Sequence, residues 1–314
     1  MKPAIKVRKV KIHRLILAVT PIIILALIPL FLTDPYIIHV LTIACIYAIL
    51  SASWDMLSGY TGQISLGHAV FFGGGAYVAA FLTMSYNFPP PLCIPIAGVV
   101  VTLFSIIIGV PSLRVTGPYL TITTLAFAET VKAIVIAFPG ITRGEEGFPV
   151  RTMVHGTIPN FYVSLVLMTF SVTIMHFIAN RRLRIPLTAI RENEVTAQAS
   201  GLNVTKYKVL SFAISAFFAG VAGSFYCYYT MMVSPALLSI DTSFMAFAMG
   251  VVGGMGTIIG PVIGAYMITI LSELLRSMIA RAHLLIYGII FIAFIMLMPE
   301  GIIKLLSKIV KKRA

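Results

Sequence analysis

The sequence predicts an all-α polytopic membrane protein, and three observations carry that expectation. Apolar residues make up 59 % of the 314 residues and charged residues only 11 %, with a mean hydropathy of +1.00, whereas soluble domains are near a quarter charged. Ten apolar segments reach or approach the ~20 residues needed to cross ~30 Å of hydrocarbon. The basic residues gather in short stretches between or beyond those segments, as the positive-inside rule expects of cytoplasmic regions.

Taken in order, the first apolar run is 15–32, behind a basic tail at 1–14. It is long and lacks a small-residue cleavage site, so it is expected as a retained span and not as a cleaved leader. Spans follow at 37–54, 69–85, 92–110, 119–138, 161–179 and 209–231, with turns at Asp34-Pro35 and Asn87 to Pro91. The stretch from Phe244 to Leu275 is interrupted by Gly250, Gly253, Gly254, Gly256 and Gly260-Pro261. As one bent helix it brings the total to nine. As two glycine-hinged segments, 244–256 and 258–275, it brings the total to ten with the last run at 284–298. Cytoplasmic N- and C-termini require an even number, so about ten transmembrane helices are expected, or eight if the short segments are re-entrant. The chain then forms a single transmembrane domain, 1–314, with basic cytoplasmic tails at 1–14 and 299–314 and a cytoplasmic loop at 180–208.

The net charge of +13 is spread unevenly. Of 23 lysines and arginines, six lie in the N-terminal tail, six in the central loop (Arg181, Arg182, Arg184, Arg191, Lys206, Lys208) and five in the C-terminal tail. Such placement anchors topology beside anionic membrane lipid and argues against nucleic acid as a partner. The three cysteines, Cys45, Cys93 and Cys227, lie in or beside apolar runs and are expected as membrane-buried thiols, not as a disulfide framework.

The central loop, RIPLTAIRENEVTAQASGLNVTKYK (184–208), is a charged amphipathic block between two spans. Pro186 is expected to stop the preceding span, and a helix is expected over 187–200, ended by Gly201 at the C′ position. Ile190, Val195, Ala197 and Leu202 would form an apolar side, with Arg191, Glu192 and Glu194 exposed. This pattern suits a helix seated in a groove of a soluble partner, or a plain interfacial helix.

No phosphate-loop motif, metal-binding HExxH or clustered Cys/His pattern is present, and no Ser/His/Asp grouping is indicated, so no cofactor and no catalytic residue is expected. Titratable groups at membrane depth are few: Asp55, His68, Glu129 with Lys132, and Glu273 with Arg276. The last two sets are spaced i, i+3 and read as self-neutralising pairs. Tyr60, Thr61, Gln63, Ser65 and His68 cluster beside glycines, and Thr121, Thr123 and Thr124 precede Glu129. These hydroxyls and amides either line a path for a zwitterion or bind helices to one another.

Two glycine-dense segments, 59–77 and 253–266, both end in Gly-Ala-Tyr and both open an apolar helix. Repeated interrupted helices line polar cavities in many transporters, while glycine also permits close helix packing. The loop at 139–160 would be external. With Arg143, Glu145, Glu146, Arg151 and His155, it reads as a solvated connector or as a docking surface.

Ordered motifs over about 43–306 resemble the permease subunits of branched-chain amino-acid ABC transporters. They are SGYTGQISLGHAVFFGGGAY (58–77), GPYLTITTLAFAE (117–129), RGEEGF (143–148), AIRENEVTAQASGLNVTKYKVLSFAISAFFAGVAGSFY (189–226), GVVGGMGTIIGPVIGAY (250–266) and IYGIIFIAFIMLMPEGI (286–302). The resemblance implies an importer-permease fold with broken glycine-rich segments. It implies a heterodimer with a second permease, two ATP-binding subunits on the cytoplasmic face, an extracytoplasmic substrate-binding protein, and residence in the inner membrane.

Residues 189–201 would then be the ATPase coupling element, through Ala189, Arg191, Glu192, Glu194, Ala197 and Gly201. They depart from the family's Glu-Ala-Ala signature, having Val195-Thr196-Ala197 in its place. Tyr60, Gln63, Ser65, His68, Thr121, Thr124 and Glu129 would line the translocation path. Arg143, Glu145, Glu146 and Arg151 would dock the binding protein. Members of the family also carry urea or short-chain amides. A secondary transporter is the competing class; it would need an ion site among Asp55, Glu129 and Glu273.

Overall fold

In the computed structural model, residues 20–32 and 34–278 are described, together with Gly288, Met296 and residues 301–303. The N-terminal basic tail, the bulk of the expected span at 284–298 and the lysines and arginine of the C-terminal tail lie outside the described residues. Twelve helices are labelled α1 (Thr20–Phe31), α2 (Pro35–Thr61), α3 (His68–Tyr86), α4 (Pro90–Ser112), α5 (Pro118–Ala137), α6 (Pro139–Thr142), α7 (Thr157–Ile178), α8 (Arg184–Glu192), α9 (Glu194–Ala199), α10 (Val204–Thr230), α11 (Ile240–Gly253) and α12 (Ile259–Met278). Seven helices are long and apolar enough to cross a membrane, and α1 and α11 are shorter apolar helices. The chain is a multi-pass helical membrane protein, and the expected division of 244–275 into two segments is what the fold contains.

The bundle is organised on α2 and α10. Asp34 caps the start of α2 by accepting the Tyr36 N–H at 2.9 Å, and Pro35 fills its first turn. At the other end Gly62, with φ 74°, donates its N–H to Ser58 O and closes the helix in a left-handed cap. With 27 residues, about 40 Å long, α2 packs against α7, α10, α11 and α12. Its most apolar stretch is 78 % buried, against 17 % for α5. A helix apolar on every side belongs inside a bundle.

Close helix approaches rely on glycine. A Cβ at Gly75 would stand 2.2 Å from Gly220 O, and one at Gly223 would stand 1.8 Å from Phe72 O, so α3 and α10 touch backbone to backbone. Cys45, Cys93 and Cys227 are buried free thiols.

The six arginines and lysines of the central loop mark one end of the bundle, here the basic end. There α7 does not stop at Pro186: it continues through a π-helical stretch, Ala179–Leu183, into α8. The π turn already interrupts the regular i to i−4 ladder, so the missing proline N–H costs little there.

At the opposite end, the loop after α5 is ordered. A two-residue strand β1 (Phe148–Pro149) pairs antiparallel with β2 (Met232–Val233), and Val150 N donates to Met231 O at 2.9 Å.

Candidate coupling and translocation site

Two interruptions of helical backbone face each other at the basic end. The first, residues 62–67, joins α2 to α3; the second, 254–258, joins α11 to α12. Backbone freed from helices in an apolar bundle must find other partners. Each break finds them in a different way.

The first break is stitched by neutral groups. Trp54 Nε1 donates to Ser65 O at 2.8 Å, and Thr121 Oγ1 donates to Ile64 O at 2.8 Å. Leu66 N donates to Thr124 Oγ1 at 3.1 Å and Ser65 N to Ser58 Oγ at 3.2 Å. The first turn of α3 then gains a side-chain acceptor, Ser243 Oγ, for Ala69 N at 2.8 Å.

The second break is gathered by one carboxylate. Asp55, fully buried in α2, accepts backbone N–H groups from Gly256 at 2.6 Å, Ile258 at 2.9 Å and Thr257 at 3.1 Å. Consecutive backbone amides turned toward one anion form a nest. The nest holds Ile258 at φ 57°, a left-handed conformation that a β-branched residue rarely adopts. Gly59 allows the approach, since a Cβ there would stand 1.8 Å from Asp55 Oδ1 and 2.6 Å from Gly256 N. The C-terminal segment returns to the same place: a Cβ at Gly301 would stand 2.3 Å from Gly254 Cα.

The central loop is fastened to both breaks. Glu194 accepts from Lys208 Nζ at 2.5 Å and from Gln63 Nε2 at 3.1 Å, which ties α9 and α10 to the first break. Lys208 is itself fully buried, and this is the one ion pair among the described residues. Arg191 Nη1 donates to Gly59 O at 2.8 Å, and a Cβ at Gly256 would stand 2.9 Å from that same nitrogen, so α8 reaches the second break.

The loop departs from a single helix over 187–200. Asn193 is extended (φ −161°, ψ 113°), ends α8, and caps α9 by accepting Thr196 N at 3.0 Å. The break turns α9 relative to α8 and exchanges two side chains. Leu187, Ile190 and Ala197 are buried as an inward row, but Val195 is 77 % exposed, while Glu194 turns inward to Lys208. Gly201 ends the element at φ 84°, as expected of a C-cap glycine.

The other expected residues separate into two sets. Tyr60, Gln63, Ser65, His68 and Thr124 are buried within this chain, with His68 Nε2 on Ser215 Oγ at 2.5 Å. Thr121 and Glu129 lie on α5, and Glu129 is exposed. The expected pairs Glu129/Lys132 and Glu273/Arg276 do not meet at ion-pair distance. Glu273 instead accepts from Tyr36 Oη at 3.1 Å across to α2.

Arg143, Glu145, Glu146 and Arg151 are exposed together at the opposite end. Arg143 stands 5.5 Å from the Phe148 ring centroid and, with Glu145 and Glu146, lines a cavity of about 460 Å³. The stitching roles of Trp54 and Asp55 were not foreseen. A lone tryptophan and a lone aspartate in one apolar span were the available signal, because each needs a polar partner at depth.

Broken helices that meet at one end of a bundle, tied to a charged element between spans, define a transport permease. The chain belongs to the family described as branched-chain amino acid transport system / permease component, whose match covers residues 36–295. It is 30 % identical over 300 residues to the high-affinity branched-chain amino acid transport system permease protein LivM of Salmonella typhimurium, covering 85 % of this chain and 69 % of that protein. The LivM of Escherichia coli is 30 % identical over 307 residues, 87 % of this chain and 71 % of the relative. A probable branched-chain amino acid transport permease protein LivH of Methanocaldococcus jannaschii is 28 % identical over 250 residues, 73 % of this chain and 79 % of the relative. No solved structure matches.

Proposed function

We propose that this chain is a permease subunit of an ATP-driven importer for branched-chain amino acids in an inner membrane. In this reading the basic end is cytoplasmic and carries both termini. The chain pairs with a second permease, two ATP-binding subunits engage the basic end, and a substrate-binding protein delivers cargo at the opposite end. ATP hydrolysis resides in the partner subunits. The observation that carries the reading is the double attachment of the central loop, through Glu194 to Gln63 of the first break and through Arg191 to Gly59 O in the last turn of α2, where the same side chain packs beside Gly256 of the second break. A partner that displaces α8 and α9 moves both breaks at once.

Ala189, Arg191, Glu192, Glu194, Ala197 and Gly201 serve this coupling element. Val195 faces outward to meet the ATPase, while Ala197 packs inward. The translocation path runs along the exposed face of α5, past Thr121 and Glu129, between this chain and the second permease. Tyr60, Gln63, Ser65, His68 and Thr124 stand behind that face and hold the first break. A carboxylate exposed on a span is costly against lipid, so Glu129 favours a protein-covered or watered face there. Arg143, Glu145, Glu146 and Arg151 form the surface for the binding protein.

The test is reconstitution of this permease with its partner permease and ATPases in proteoliposomes, with the binding protein and labelled leucine inside or outside as required. ATP-dependent leucine uptake is expected. Absence of uptake by an assembly that hydrolyses ATP and binds the binding protein overturns the substrate assignment. A permease that receives cargo from a binding protein needs only a weak site. The isolated permease is therefore expected to hold leucine no tighter than about millimolar, roughly −4 kcal/mol, and a micromolar constant by calorimetry argues against this delivery scheme.

A further inference from the structure

The basic end also contains a cavity of about 430 Å³, bordered by the coupling element and the second break. One wall is the continuous helix of α7 and α8, which presents His176, Asn180, Arg184 and Thr188 at four-residue intervals, then Arg191 and Glu192. The other wall is Tyr60, from the last turn of α2, with Gly256 and Thr257 of the second break. Four-residue spacing places side chains along one helix face, so the donors converge on a single space.

Charge decides what would fill it. Arg184 and Arg191 contribute two guanidinium groups and Glu192 one carboxylate, and the Asp55 carboxylate behind Gly256 and Thr257 is felt by Arg191, so Arg184 is the cation that the lining leaves without a partner. Arg184 has no carboxylate within ion-pair distance among the described residues, and Arg191 spends one N–H on Gly59 O, leaving others. Neutral donors, the Asn180 amide and the Tyr60 and Thr188 hydroxyls, complete the lining. A planar guanidinium beside hydroxyl and amide donors suits the oxygens of a phosphate. Arg184, unpartnered among the described residues, supplies the positive charge that a phosphodiester would meet.

Depth narrows the source. The 22 residues of α7 span about 33 Å, close to the ~30 Å of hydrocarbon. Arg184 follows six residues later, where headgroups lie. We propose that this cavity binds a phosphate group, presented by an anionic phospholipid of the adjoining leaflet. The bound lipid would brace α8 against the second break. The inference rests on the depth of the spans and the cavity lining, not on the transported substrate.

The test uses the full-length permease assembly, reconstituted with phosphatidylglycerol in phosphatidylcholine and then exchanged into neutral detergent, with retained lipid counted by native mass spectrometry. Wild-type protein is expected to retain phosphatidylglycerol, and Arg184→Gln to retain about ten-fold less, the scale of one lost charge-assisted contact. Arg184→Lys keeps the charge and is expected to recover part of the retention, which separates loss of the site from misfolding. Arg114→Gln, an exposed arginine at the same end outside the cavity, is expected to retain as wild type.

Equal loss in Arg114→Gln and Arg184→Gln overturns the proposal in favour of general surface charge, as does unchanged retention in Arg184→Gln. In a second arm inorganic phosphate is titrated into delipidated assembly and thermal stability is followed. Stabilisation by phosphate that Arg184→Gln abolishes, without retained lipid, keeps the phosphate site and moves its source to solution. No lipid retention and no phosphate effect in wild type overturns the site.

Discussion

The two helix breaks solve one problem by opposite means. At 62–67 the freed backbone is shared among Trp54, Ser58, Thr121 and Thr124, all neutral. At 254–258 three consecutive N–H groups converge on the Asp55 carboxylate. Distributed neutral partners are each worth about 1 kcal/mol, so losing one loosens the turn without unmaking it. A single buried anion that satisfies three donors is worth more per bond, and its loss orphans all three together. The first break therefore tolerates adjustment, and its partners Thr121 and Thr124 lie on α5, the least buried of the seven long spans. The second is rigid, and it holds Ile258 in a conformation that the residue would not choose.

The largest effect expected is at Asp55. Asp55→Ala removes the carboxylate and leaves three donors unpaired, that of Ile258 buried and those of Gly256 and Thr257 half-buried, a loss of about 3 kcal/mol. Asp55→Asn keeps one acceptor oxygen and loses roughly half of that. Thermal unfolding of the purified assembly measures both, and a shift in Asp55→Ala no larger than that of a single threonine substitution would erase the contrast between the breaks.

Next comes Lys208→Met, which strands Glu194 beside Gln63. Glu194 is 29 % exposed, so stranding it costs less than breaking a fully buried pair, about 2 kcal/mol, and the double variant Lys208→Met with Glu194→Leu should regain much of it. A cycle of the two single variants and the double one by thermal melts gives the coupling energy. A value near zero would detach α9 from α10.

Smaller again are Thr124→Val and Thr121→Val, each about 1 kcal/mol. Because both serve one turn, at Ile64 and Leu66, their effects should be non-additive in the double variant. Simple addition in melting experiments would show the two contacts to be independent, and so weaken the description of a shared, adjustable turn.

The smallest effect on stability is expected at Val195. Val195→Asp changes an exposed side chain and should alter stability by less than about 0.5 kcal/mol, yet abolish ATP-coupled uptake while ATPase activity in the assembly is uncoupled or lost. Normal uptake by this variant would remove α9 from the contact with the ATPase. Ala197 is a poorer probe, because a bulky residue there would first disturb the buried row with Leu187 and Ile190.

Much of this molecule is legible in one dimension. The class follows from apolar runs of membrane length, since backbone in hydrocarbon has few ways to satisfy itself. The division of 244–275 follows from Gly250 to Pro261, and the end of the central loop follows from Gly201, because these residues act through their own backbone preferences. The polar cluster near Gly59 to His68 was visible too, because hydroxyls and amides stand out against an apolar background.

Other features depended on residues distant in the chain. Asp55 finds its donors about two hundred residues away, and nothing local says that Gly256, Thr257 and Ile258 will turn their N–H groups toward it. Glu129 and Lys132 have the spacing of a helix pair, yet spacing sets only proximity, and no ion pair forms. Glu194 had the look of an exposed residue until Asn193 broke the helix and turned it toward Lys208. Local preferences decided where helices start, stop and cross the membrane, because those depend on residues within a turn or a span. Which charges are paired, which faces turn inward and how the breaks are held depended on three-dimensional packing, because desolvation penalises a polar group according to its whole surroundings.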